Sequence, residues 1–145
     1  MVRTNWKLGW ALLPAALIGM TLLGCGGSAK LDGPATVPVK GKVVFTKNGS
    51  LAPIVDQQGA IEFESIDQPG IKAIGDIQED GSFTLSTLVP GGAKPGAVPG
   101  KHRVRLELDE KAQQYVAPQF LRFDKSGIAV TVAEPQSEIE IQIWR

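Results

Sequence analysis

From residue 37 onward, apolar and polar side chains alternate in short runs separated by turn-forming residues. A period of two places successive side chains on opposite faces of a strand, so each run offers one face to a core and one to solvent. The clearest run is 101–109, with Val104, Leu106 and Leu108 on one parity and Arg103, Arg105 and Glu107 on the other. In 37–46, Val39, Val43 and Phe45 oppose Lys40, Lys42 and Thr46. In 60–65, Ile61 and Phe63 oppose Glu62 and Glu64. Near the C-terminus, Ile139, Ile141 and Ile143 oppose Glu138, Glu140 and Gln142. A less regular run covers 71–78, Phe83 and Leu85 point inward in 82–87, and 128–132 completes the set.

The breaks between runs have their own chemistry. Asn48-Gly49 and Asp80-Gly81 are tight-turn pairs, because these residues tolerate positive φ. Segment 89–99 holds three Pro and three Gly and is expected to be a loop. Segment 110–125 is irregular and carries Tyr115, Phe120 and Phe123. No 12-residue stretch beyond residue 36 shows the apolar face of an amphipathic helix. The expected fold is all-β: a seven-stranded antiparallel β-sandwich over residues 37–145, since half-polar strands bury their apolar faces by stacking two sheets. A small barrel is the alternative closure. The chain has one cysteine, so no intramolecular disulfide can form and the core must hold the fold unaided.

Ahead of this domain the sequence changes character. Arg3 and Lys7 precede 16 largely apolar residues at 8–23, and Gly24 and Cys25 follow. A positive start, an apolar stretch and a small residue before a cleavage point are the parts of an export signal. The stretch is short for a permanent span, which takes about 20 residues, and Pro14 interrupts it. Leu22, Leu23, Gly24 and Cys25 resemble the bacterial lipobox, with a branched apolar residue three before the cysteine and a small one directly before it. That resemblance implies cleavage after residue 24 and a diacylglycerol thioether on Cys25, usually with a further N-acyl chain. The alternative is an ordinary buried cysteine at the end of a leader. Gly26, in place of aspartate, follows the cysteine, which by analogy with enterobacterial sorting points to the outer membrane. The expected organisation is therefore a signal peptide at 1–24, a lipidated cysteine and flexible tether at 25–36, and the β-domain. The expected location is the cell envelope, anchored at a periplasmic or extracellular membrane face.

A family resemblance rests on short segments in order. Val39-Lys40-Gly41-Lys42-Val43 comes first, then Asn48-Gly49-Ser50-Leu51 and Ile61-Glu62-Phe63. Asp80-Gly81-Ser82-Phe83-Thr84-Leu85 and Pro99-Gly100-Lys101-His102-Arg103-Val104 follow, and Pro118-Gln119-Phe120 and Lys125-Ser126-Gly127-Ile128 come near the end. This pattern resembles bacterial lipoproteins with a carboxypeptidase regulatory-like (transthyretin-like) domain. The resemblance spans residues 37–143 and implies a seven-stranded prealbumin-like sandwich. It implies no particular activity, because a fold does not carry a function with it. The family's usual tyrosine after the glycine is His102 here.

Residue counts exclude several chemistries found on related folds. Transthyretin-like hydroxyisourate hydrolases use several histidines, and intradiol dioxygenases bind iron with two Tyr and two His. This chain has one His and one Tyr. A Ser-His-Asp arrangement would rest on His102, whose shared parity with Val104 points to packing instead. No cofactor is expected, and no basic excess suits nucleic acid: 15 basic residues less the two in the leader leave 13 against 15 acidic. For partners, the lipid on Cys25 implies a membrane, and the domain an envelope protein or a glycan. Trp144 falls on the parity opposite Ile139, Ile141 and Ile143, so it is expected on the outer face as a binding anchor or as an edge cap. Lys101, Arg103 and Arg105 form a basic face, read as solvated or as a contact for anionic groups. The expectation is a membrane-held, non-catalytic protein-binding or structural module, with carbohydrate or peptidoglycan binding as the alternative.

Asp76, Glu79 and Asp80 surround one turn but do not follow a calcium-loop spacing. Calcium titration is therefore expected to leave Tm unchanged, since a site specific to the folded form would raise it.

Overall fold

The computed structural model describes residues 31–47, 49–135 and 138–145. The leader, the lipobox residues Leu22, Leu23 and Gly24, Cys25, and Asn48 of the first turn pair lie outside the described residues. Nine strands are present among the described residues: β1 (Lys40–Phe45), β2 (Ala60–Ser65), β3 (Lys72–Asp76), β4 (Ser82–Thr84), β5 (Ser86–Val89), β6 (Gly92–Pro95), β7 (Gly100–Glu107), β8 (Ala129–Val132) and β9 (Ile139–Ile143). One-turn helices α1 (Ala52–Val55) and α2 (Glu110–Gln113) follow β1 and β7, and a 3-10 turn spans Pro118–Leu121.

The strands form two sheets, ordered β4-β1-β9 and β6-β5-β3-β2-β7-β8. The fold is an all-β sandwich. Its core follows the alternation, with Val39, Val43, Ile61, Phe63, Val104, Leu106, Ile141 and Ile143 all buried. Phe63 of the large sheet and Phe83 of the small one meet at 6.1 Å between ring centroids, joining the two inner faces.

Nine strands arise where the alternation marks seven, for two reasons. The run 82–87 is divided at Leu85: β4 pairs with β1 in the small sheet and β5 with β3 in the large one. Leu85 donates its N–H to Val39 O (3.0 Å) and accepts from Gly96 N–H (2.7 Å), so the crossing residue keeps both backbone partners. The second reason is β6, which lies within the segment expected to be a loop. It pairs with β5 from Ser86↔Pro95 to Val89↔Gly92. Backbone pairing needs no particular side chain, and Pro95 is tolerated because β6 is an edge strand. One pair, β1 with β9, is parallel. The chain leaves β8 at the end where β1 begins and crosses to the small sheet there, so β9 must run alongside β1.

Glycine is required at two of the family-like positions. Gly81 has φ +83° at the turn, where Asp80 Oδ1 accepts from Ser82 N–H at 2.9 Å. At Gly41 a Cβ would collide with Ile139 O and the Phe83 ring, so the bare backbone lets β9 and the core ring close in.

Both open sides of the sandwich are covered. Residues 31–36, read by composition as tether, lie along β6: Lys94 Nζ donates to Pro34 O at 2.7 Å and Thr36 Oγ1 to Pro95 O at 2.8 Å. On the other side, the segment after α2 runs back past β7. Ala117 N–H bonds Trp144 O at 2.8 Å, and buried Phe120 meets the Trp144 ring edge-on at 4.6 Å. Phe120→Ala is expected to destabilise the domain by about 3–5 kcal/mol in urea unfolding. It should also red-shift Trp144 emission in the chain lacking residues 1–24.

Candidate functional site

The outer face of the large sheet holds the basic residues that the sequence singles out. Antiparallel register sets Arg105 opposite Glu62 and Arg103 opposite Glu64. Arg105 Nε donates to Glu62 Oε2 at 2.6 Å, Lys72 Nζ to Glu62 Oε1 at 3.0 Å, and Arg103 Nη2 to Glu64 Oε2 at 2.7 Å. Phe123 then covers the cluster, with its ring centroid 4.9 Å from the Arg105 guanidinium carbon and 5.3 Å from Lys72 Nζ. A cation over an aromatic face is attracted to the ring quadrupole, so Phe123 holds both cations in place. Arg103 and Arg105 thus enter a neutralised lattice rather than a free basic surface. Lys101 is exposed and makes no ion pair among the described residues.

His102 sits on the inner face of β7, buried, with its ring 6.0 Å from that of Phe63. Its Nδ1 lies 3.2 Å from Gly100 O, a carbonyl that accepts from an Nδ1–H. Burial pushes the imidazole pKa below its ordinary value, and the Gly100 bond and the Asp67 charge oppose that shift. The enclosure matches its parity with Val104.

Of the two readings of Trp144, the packing follows the edge cap and not the exposed anchor. It leaves the inward row of β9, yet it is half-buried beneath the 3-10 turn, which occupies the outer side that parity left open. Among the described residues the exposed aromatic is Tyr115, at the end of the sandwich built by α1 and α2.

That end carries two grooves flanking α1. Ser50 Oγ accepts from Ala52 N–H at 3.2 Å and Pro53 fits the first turn of α1. Fully buried Ile54 pins the helix to the core. Asp109 caps α2, accepting from Lys111 N–H at 2.9 Å. Between the two helices lies a groove of about 450 Å³ lined by Pro53, Asp56, Gln57, Lys111, Gln114 and Tyr115. On the other flank of α1 a groove of about 500 Å³ is lined by residues including Val55, Gln58, Ile77 and Glu79. These surfaces combine amides, opposite charges and one aromatic ring, which suits hydrogen-bonded recognition. α1 is a single turn, too short for a 3.6-residue period to register; Ser50 and Pro53 were its only signals.

The turn at Asp80 is occupied by local bonding. Ser82 hydrogen bonds hold the Asp80 carboxyl below the usual carboxylate range, with Lys42 adding to the effect. Asp76, Glu79 and Asp80 do not gather into a metal-ligand group, and no such group occurs among the described residues.

Comparison with known proteins found no matching family model, no similar curated protein and no similar solved structure.

The His102 environment sets a pH dependence. As pH falls, the unfolded chain takes up the imidazole proton first, so the stability from a neutral His102 is complete above about pH 6.5 and is lost below it. Between about pH 7.5 and about pH 5.5, Tm of the native sequence is expected to fall more than that of His102→Phe. Equal slopes in the two melting series would contradict this.

Proposed function

We propose that this chain is a lipid-anchored, non-catalytic module of the cell envelope. In this reading it is a lipoprotein of the carboxypeptidase regulatory-like kind, and it engages a protein partner through the α1–α2 end. The observation that carries the reading is polarity along the sandwich. Residues 31–36 run along β6 away from the β5–β6 turn, so the chain enters at the end where β1 begins, whereas α1, α2 and their grooves lie where β1 ends. A lipid on Cys25 would hold the first end at the membrane and turn the grooves outward. The lipobox residues Leu22, Leu23, Gly24 and Cys25 support the anchor.

A non-catalytic role is supported by His102. The group that titrates nearest neutrality is enclosed against Phe63, and it belongs to the end of β7 away from the grooves. The alternative ligand, a glycan of the envelope or peptidoglycan, is favoured by one observation: exposed Tyr115 beside Gln57 and Gln114, an aromatic face with amide neighbours.

Cross-linking in intact cells followed by mass spectrometry tests the reading. Native protein is expected to capture one reproducible envelope protein, with linked peptides covering 53–57 or 111–115. Cys25→Ser is expected to lose that partner and to retain the leader mass. Glycan-linked peptides containing Tyr115 would transfer the assignment to the alternative, and links scattered over the surface would refute both.

A further inference from the structure

Large apolar side chains are exposed at three positions among the described residues: Ile66, Leu88 and Tyr115. Tyr115 belongs to the groove already described. Ile66 and Leu88 both lie toward the opposite end, 44% and 57% exposed. Ile66 follows β2 and donates its N–H to Lys101 O, and Leu88 stands on β5, opposite Ala93. In strand order β5 and β2 flank β3, and both side chains fall on the outward parity of the large sheet. The β5–β6 turn beyond Leu88 reads Val89, Pro90, Gly91, Gly92, Ala93, with no ionisable side chain. Pro69 and Gly70 form the neighbouring tip, and both are exposed.

The chain enters the domain beside these tips, where exposed Asp67 accepts from Lys101 N–H at 2.9 Å between Ile66 and Pro69. Lys94 Nζ fixes the carbonyls of Gly33 and Pro34, at 3.3 and 2.7 Å, and Leu31 is the closest side chain to Gly92. Five residues separate Leu31 from Cys25. Six Cα steps at full extension span at most about 20 Å. The seven steps of β7 alone span about 23 Å, so an anchor at Cys25 keeps this end close to the bilayer and leaves the α1 end free to stand away from it.

We propose that Ile66, Leu88 and the Pro90-Gly91 turn form a foot that rests in the lipid interface of the membrane holding Cys25. The inference rests on the acylation of Cys25 proposed above. Two half-exposed aliphatic side chains bind a bilayer weakly by themselves, because interfacial binding scales with apolar area buried. The tether converts that contact into an intramolecular one at high effective concentration. The foot then fixes the tilt of the domain, so that the α1–α2 grooves face away from the lipid.

The test uses the full-length acylated protein in vesicles of phosphatidylethanolamine and phosphatidylglycerol, with Leu88→Cys or Gln57→Cys carrying a nitrobenzoxadiazole label. The Cys25 sulfur, as a thioether, does not take the label. At position 88 the label is expected to shift to the blue and to lose several-fold intensity when the acyl chains are brominated. At position 57 it should not change. Adding Ile66→Asp to the Leu88→Cys protein, a change on the exposed tip, should restore most of the lost intensity. An acylated protein whose label at 88 is no more quenched than at 57 overturns the foot and leaves the anchor standing. A blue shift without quenching means that protein, not lipid, covers the tip, and overturns it as well. A mass lacking acyl chains overturns the anchor and the foot together.

Discussion

Two sheets share one core here because the chain passes between them without abandoning a backbone hydrogen bond. Leu85 is the crossing residue. Its N–H belongs to the small sheet through Val39, its carbonyl to the large-sheet side through Gly96, and its side chain is fully buried between them. An unpaired N–H or carbonyl at that depth would cost about 1–3 kcal/mol. The pairings β1–β4, β3–β5 and β5–β6 all depend on where this residue sits. Gly75 makes the crossing feasible from the other side, because a Cβ there would lie 2.6 Å from Thr84 O, just before the crossing.

The outer face of the large sheet is built on a different economy. Glu62 is buried on a face that a simple in-and-out alternation assigns to solvent. It is stabilised by Arg105 and Lys72 from the strands on either side, and Phe123 closes over those cations. Partner cations from two strands supply what a carboxylate needs when water is excluded. The face richest in charge therefore presents little uncompensated charge.

Much of this fold was legible in the sequence, and the gaps have physical causes. Alternation located β2 at its observed bounds and marked the inward rows of β7 and β9, because those strands each bury one face. The crossing at Leu85 left no trace, since Phe83, Leu85 and Thr87 keep the same parity through the change of sheet. β6 was hidden because Gly92-Ala93-Lys94-Pro95 shows no apolar alternation, and its pairing with β5 is made by the backbone. Arg103 and Arg105 were correctly placed outward, but register decides their partners, and register with β2 is a long-range property. The choice between anchor and edge cap at Trp144 was open for the same reason: its cover, Phe120, comes from a distant irregular segment. The grooves beside α1 had only the local turn bond of Ser50 and the first-turn Pro53 to announce them.

The course of residues 31–36 along β6 also decides how the domain carries load. Tension applied from the N-terminal side enters parallel to the strands, through the Lys94 clamp and the Val37↔Ala97 bridge, and then along β1. β1 is the central strand of its sheet, held by β4 on one edge and β9 on the other. Pulling it lengthwise shears two ladders at once instead of peeling one bond at a time. Survival under force is governed by the unfolding rate rather than by equilibrium stability, and this attachment geometry makes the domain resistant to tension that enters through residues 31–36.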